Sequence, residues 1–173
     1  MRIYLIGFMG VGKTHWGKQL GKKLGVHYFD LDELIEIDEG RPIAEIFEKE
    51  GEEYFRNKER EILNWVSESH ESMVLSCGGG APCFFNNIDY MNEKGITVWI
   101  DTPFEILLGR LRLGKEKRPL LKDLDDEQLK AYIVKKGNDR LIYYERAKVR
   151  LSDNNVKLDD FVRGISEAQN NLN

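Results

Sequence analysis

A chain of 173 residues, 41% of them hydrophobic, is long enough to bury one sizeable core but short for two, so a single domain over 1–173 is expected. Its 26 Lys and Arg against 30 Asp and Glu leave a formal net charge of −4, which argues against a general nucleic-acid binder and requires any polyanion to be met by local basic clusters. The two cysteines, Cys77 and Cys83, stand in no CxxC or other ligand spacing, which argues against a disulfide framework or a cysteine-held zinc site.

Taken in chain order, the first apolar stretch (3–9), which opens with a strand at 3–6 and is broken by Gly7, is far too short to cross a bilayer, and no basic region with a small-residue cleavage site precedes it. A cytoplasmic protein with no membrane partner is expected. A helical pattern over 13–24 follows, then a strand at 26–29 and helices over 31–38, 43–49 and 52–67. Strands at 73–76 and 97–100 lead to a helix over 103–111. Residues 113–124 break the periodicity, being rich in Lys, Arg, Gly and Asp around Pro119, and read as a mobile surface loop. A long helix over 126–147, a strand at 149–151 and a helix over 158–170 complete the chain. Apolar runs alternating with amphipathic segments predict an α/β fold of three αβα layers around five parallel strands.

Residues 7–14, GFMGVGKT, match the P-loop pattern in full, between a strand and a helix. The glycines let successive N–H groups of Gly10, Val11, Gly12, Lys13 and Thr14 turn inward as an anion nest at a helix N-terminus. Lys13 is expected to bridge the β- and γ-phosphates of a nucleoside triphosphate, and Thr14 to offer its hydroxyl to Mg²⁺. His15 stands where many P-loops carry a second hydroxyl residue.

Phosphoryl transfer asks the protein to hold an acceptor hydroxyl in line, neutralise charge and exclude water. Asp30 and Asp32 leave the second strand at the ligand-binding edge of the sheet, where two carboxylates can divide the labour between a metal water and a substrate hydroxyl. Asp32 is equally well placed to cap the following helix. Arg56 flanks the apolar face carried by Phe55, Ile62, Trp65 and Val66, with Glu59 three residues on to steer it, or pairs with Glu59 on an exposed helix face. Gly78, Gly79 and Gly80 follow the third strand and permit close approach of a ligand. Ser76 binds a metal water or merely ends its strand. In the basic loop Arg118 stands out because Pro119 stiffens the chain after it, as a lid arginine requires. Cys77 reads as a small buried hydrophobe, and the three histidines have no ligand spacing.

In order along the chain, GFMGVGKT, FDLD, GRPIAEIFEKEGEEYFR, LSCGGG, RPLL and a late Arg-x-x-x-Tyr resemble the shikimate kinase family, from Ile3 to about Ala147. The resemblance implies a P-loop fold of the nucleoside monophosphate kinase type, with an acceptor-binding segment at about 32–60 and a lid at about 112–124. It implies transfer of the γ-phosphoryl of ATP to the 3-hydroxyl of shikimate, with Mg²⁺. Asp32 would then hold the shikimate hydroxyls and serve as base, while Asp30 and Ser76 would contact metal waters. Arg56 and Arg140 would clamp the carboxylate, Gly79 and Gly80 would complete the pocket, and Arg118 would reach the phosphates from the lid. Arg110 and Arg112 are both candidates for the arginine on adenine, and Asn154 falls in a stretch resembling the adenine loop. A monomer is expected.

Two other readings share some of these features. Another small-molecule kinase, for gluconate or a nucleoside monophosphate, would keep the cradle and change the acceptor pocket. A non-catalytic nucleotide-binding module would be expected to lose Lys13, Asp32 or Arg118, and all three are present.

Overall fold

The computed structural model describes residues 1–118, 120–152 and 155–171. Five strands, β1 (Arg2–Ile6), β2 (His27–Asp30), β3 (Met73–Ser76), β4 (Ile96–Ile100) and β5 (Val149–Leu151), form one sheet in the order β2-β3-β1-β4-β5. All neighbours run parallel. Seven α-helices cover the two faces: α1 (Lys13–Leu24), α2 (Leu31–Glu39), α3 (Ile43–Ser69), α4 (Asn87–Lys94), α5 (Phe104–Leu113), α6 (Asp126–Tyr144) and α7 (Leu158–Asn170).

The alternation of side chains along each strand divides the core in two. Ile3, Leu5, Val98 and Ile100 pack with Leu20 of α1 and Phe161 of α7. Tyr4, Ile6, Leu75 and Trp99 pack on the opposite face with Ile35 of α2, Leu63 of α3 and Ile88 of α4. A central parallel strand is buried on both sides, which is why β1 and β4 read as unbroken apolar runs.

The expected strands and most helices are present, with three differences. The two helices expected over 43–49 and 52–67 are the halves of α3, interrupted at Gly51, whose φ of 83° and ψ of 176° are not helical. Helix α4 was not expected: its eight residues, NIDYMNEK, are mostly polar and follow an Asn86 with no side-chain cap bond. Topology demands it, because β3 and β4 flank β1 and a parallel return needs a crossover. Trp65, expected on the apolar face of its helix, is 56% exposed. Within 112–124, a 3₁₀ turn spans Lys115–Lys117 and Leu121 is fully buried against the core, tying that end of the segment down. No helix among the described residues is long and apolar enough to cross a membrane.

Candidate active site

The strand order places β1 between β3 and β4, so the loops leaving β1 and β3 open onto a crevice at the carboxyl edge of the sheet, where α/β proteins bind ligands. A cavity of about 400 Å³ lies there. Gly10, Gly12, Lys13, Thr14 and His15 form one wall, and Asp30, Asp32, Ser76, Gly78 and Gly79 form the other. Arg118 reaches in from the segment after α5. Thus eleven residues singled out from sequence meet in one space.

On the phosphate side, Gly7, Gly10 and Gly12 hold φ of 137°, 83° and 97°, conformations that L side chains disfavour. The loop they allow wraps around Lys13, whose Nζ donates to Gly7 O at 2.8 Å and Phe8 O at 2.9 Å. Burial pushes the Lys13 ammonium down to about 8, against the pull of Asp32. Val11 lies between neighbouring cavities rather than in this one. His15 is exposed, edge-on to Trp16, with its Nε2 within 2.7 Å of Gln19 Nε2.

Beside the cradle, Thr14 Oγ1 donates to Asp30 Oδ2 at 3.0 Å. Asp30, not Asp32, caps α2: its Oδ1 accepts the Asp32 N–H at 3.1 Å. That frees the Asp32 side chain for the cavity. Burial, followed by repulsion from Asp30, raises the Asp32 carboxyl to about 6. The oxygens of Thr14, Asp30 and Ser76 are hard donors. Among the described residues no group of three or more His, Cys, Asp or Glu converges on a point. Such a set does not cage a metal by itself, but fits Mg²⁺ that keeps its waters and takes its other ligands from phosphate.

Gly78, Gly79 and Gly80 separate this cavity from a cluster of buried charges. A Cβ on Gly79 would stand 3.0 Å from Arg140 Nη1 and 3.6 Å from the Met9 N of the P-loop. A Cβ on Gly80 would fall 2.6 Å from Arg56 Nη2, and one on Gly78 would meet Glu59 Oε1 at 2.9 Å and Asp32 Oδ1 at 3.0 Å. The glycines therefore let the P-loop backbone and two guanidiniums approach one stretch of chain closely. Neither Arg56 nor Arg140 lines the cavity itself.

Arg56 is not on an exposed face. It is 8% exposed and Glu59 is fully buried. Its Nη1 donates to Glu59 Oε2 at 2.8 Å, and its Nη2 to the exposed Glu52 at 3.2 Å. Its guanidinium lies 4.3 Å from the Phe84 ring centre. Arg140 lies over Phe8 at 5.4 Å, and its Nη1 is buried with no hydrogen bond among the described residues. Tyr144, one turn on, donates to Gly79 O at 2.6 Å. Burial raises the Glu59 carboxyl to about 7 despite the Arg56 charge.

Sequence reading gave Glu59 only a steering part and Tyr144 only a place in the late Arg-x-x-x-Tyr, and missed Phe84. The i, i+3 spacing pointed to Glu59, but nothing local shows that a polar helix turn is buried. Arg110 reaches over the P-loop, its Nη1 at 3.4 Å from Gly10 O and Val11 O, and shares a cavity of about 320 Å³ with Trp16 and Val156. Arg112 instead pairs with Asp126. Asn154 lies outside the described residues. Cys77 is buried and its thiol is pushed well up, as expected of a small apolar filler.

Comparison with known proteins points the same way. The family described as Shikimate kinase matches residues 9–168. The shikimate kinase of Parabacteroides distasonis is 40% identical over 167 residues, covering 96% of each chain. The crystal structure of shikimate kinase from Bacteroides thetaiotaomicron superposes with a TM-score of 0.87 at 36% identity, covering 99% of this chain and 98% of that one. Shikimate kinase from Acinetobacter baumannii, solved in complex with shikimate, gives 0.77 at 36% identity, covering 99% and 90%. Likeness at this level of identity, sustained from one end of the fold to the other, is more than a shared architecture leaves behind: the chain belongs to the shikimate kinase family.

Proposed function

We infer that this chain is a shikimate kinase, which transfers the γ-phosphoryl group of ATP to the 3-hydroxyl of shikimate and releases ADP and shikimate 3-phosphate. One observation carries the acceptor assignment. A Cβ on Gly79 would meet both the P-loop backbone and Arg140 Nη1, one on Gly80 would meet Arg56 Nη2, and Arg140 Nη1 is buried without a partner among the described residues. A buried N–H donor left unmet is costly, and the carboxylate of a small acid satisfies it.

In this reading the N–H groups of Gly10 to Thr14 and the Lys13 ammonium hold the polyphosphate. Arg56 and Arg140 hold the acid's carboxylate, with Gly78, Gly79 and Gly80 completing its pocket. Asp32 accepts the proton of the hydroxyl as its oxygen bonds to the γ-phosphorus and ADP leaves. A carboxyl raised to about 6 is ionised at neutral pH and is a stronger base than an ordinary aspartate. Arg118, from a lid at about 112–124, neutralises the transferring group. Thr14, with Asp30 and Ser76 through water, would hold Mg²⁺, which when bound offsets phosphate charge. Arg110 and Trp16 border the space left for adenine, with His15 and Asn154 proposed on the nucleotide side. The acceptor segment is about 32–60 within a single kinase unit. Both cysteines are free, which suits the reducing cytoplasm in which we place the chain, acting as a monomer.

ADP release measured with shikimate, gluconate or AMP as acceptor tests the reading. Turnover is expected with shikimate alone, and turnover with AMP alone would overturn it.

A further inference from the structure

The oxygen cluster of Thr14, Asp30 and Ser76 has a fourth member without an assigned part. Tyr28 of β2 places its phenol oxygen 3.2 Å from Asp30 Oδ2 and 3.2 Å from Ser76 Oγ. A phenol carries one proton. Given to the charged carboxylate, that proton leaves the phenol oxygen to accept from the Ser76 hydroxyl, whose own lone pairs then face outward from the pair. The Asp30 carboxylate also accepts from Thr14 Oγ1 at 3.0 Å and from the Asp32 N–H at 3.1 Å. With Tyr28, three of its roughly four acceptor positions are filled and its plane is fixed, leaving one for a further donor.

The ring reaches this point because α1 is bare beneath it. A Cβ on Gly17 would overlap Tyr28 Cε2 and stand 3.0 Å from Ser76 Oγ. Any larger residue there would push the phenol away from both oxygens. Half-buried Tyr28 is thus wedged between α1 and β3 with its only polar atom on the two side chains assigned to metal waters.

We propose that Tyr28 is a positioning residue for nucleotide-bound Mg²⁺: its phenol orients the Asp30 carboxylate and turns the Ser76 hydroxyl so that both present acceptors to the water around the metal. The inference rests on the assignment of Asp30 and Ser76 to metal waters made above.

Tyr28→Phe keeps the ring and removes the bridging oxygen. The measurement is ADP affinity by calorimetry in Mg²⁺ and in EDTA, on Tyr28→Phe and on Asp30→Asn, with thermal midpoints of both. Tyr28→Phe is expected to shrink the gain in ADP affinity conferred by Mg²⁺ by about 10-fold, the low end of what losing an outer partner of a metal site costs. Its affinity in EDTA and its thermal midpoint should stay at the parent values. Asp30→Asn should shrink the gain at least as much. A response to Asp30→Asn but none to Tyr28→Phe would overturn the part given to Tyr28 and leave the metal assignment standing. No response to Asp30→Asn would overturn that assignment and this inference with it. Equal weakening in Mg²⁺ and in EDTA by Tyr28→Phe would assign the phenol to the fold alone.

Discussion

In the proposed part of base, Asp32 trades stability for chemistry. Its carboxyl titrates at about 6 in the fold, against 3.8 for the ordinary side chain, so between those values the folded chain binds more protons than the unfolded one. Stability contributed by that proton is full below pH 4, falls as pH rises toward 6 and is absent above it. Asp32→Asn carries no charge to bury and should be more stable at pH 8, on the order of 2 kcal/mol by denaturant titration. The same change should slow transfer by about 10²- to 10⁴-fold, as loss of a general base does, while ATP affinity stays nearly intact. An equal loss of nucleotide binding would show that Asp32 serves the cradle instead. For the parent enzyme, kcat/KM for shikimate should fall as pH drops through about 6, where Asp32 takes up its proton. Lys13→Met should reduce both nucleotide affinity and transfer, because Lys13 belongs to the loop that holds the phosphates.

At the scale of elements, the break in α3 decides where Arg56 points. The residues before Gly51 pair with α2 through Arg41, Glu39 and Glu50, whereas the half that follows carries Arg56 and Glu59 into the core. Gly51 sits at φ 83° and ψ 176°, a region open essentially to glycine, with no atom within 4 Å of where a Cβ would lie. Gly51→Ala therefore costs backbone strain rather than a clash. About 1–3 kcal/mol is expected in urea unfolding, together with a raised KM for shikimate and an unchanged KM for ATP. The sequence already split these two helices at the glycine. Helix α4 had no comparable signal: its polar, eight-residue pattern is weak, and only the need to carry the chain from β3 to β4 across β1 reveals it.

Across the whole molecule, two cores on opposite faces of the sheet hold the P-loop and the glycine triplet at a single edge. The nucleotide and acid pockets proposed above share the Gly79 backbone but draw on different side chains, so each ligand should stabilise the fold alone. At 100 times its Kd, ADP should add about 2.7 kcal/mol to the free energy of unfolding. Shikimate at the same multiple should add a similar amount, and the two together at least the sum. A thermal shift with ADP and none with shikimate would leave the chain a nucleotide binder without the proposed acceptor.

Residues that are neighbours in sequence carried most of what could be read without coordinates. The P-loop, the Asp30–Asp32 pair, the glycine triplet and all five strands' positions to within a residue are local patterns, set by backbone geometry and side-chain alternation over a few positions. Burial and pairing at long range could not be read. Arg56 looked equally suited to a solvated ion pair, and its contact with Phe84 joins a helix residue to one in the loop between β3 and α4. Asp32 looked like a helix cap until Asp30 took that place. Which of two candidates caps a helix, or whether an arginine is buried, depends on what packs against it, and that is decided only when the sheet closes under all seven helices.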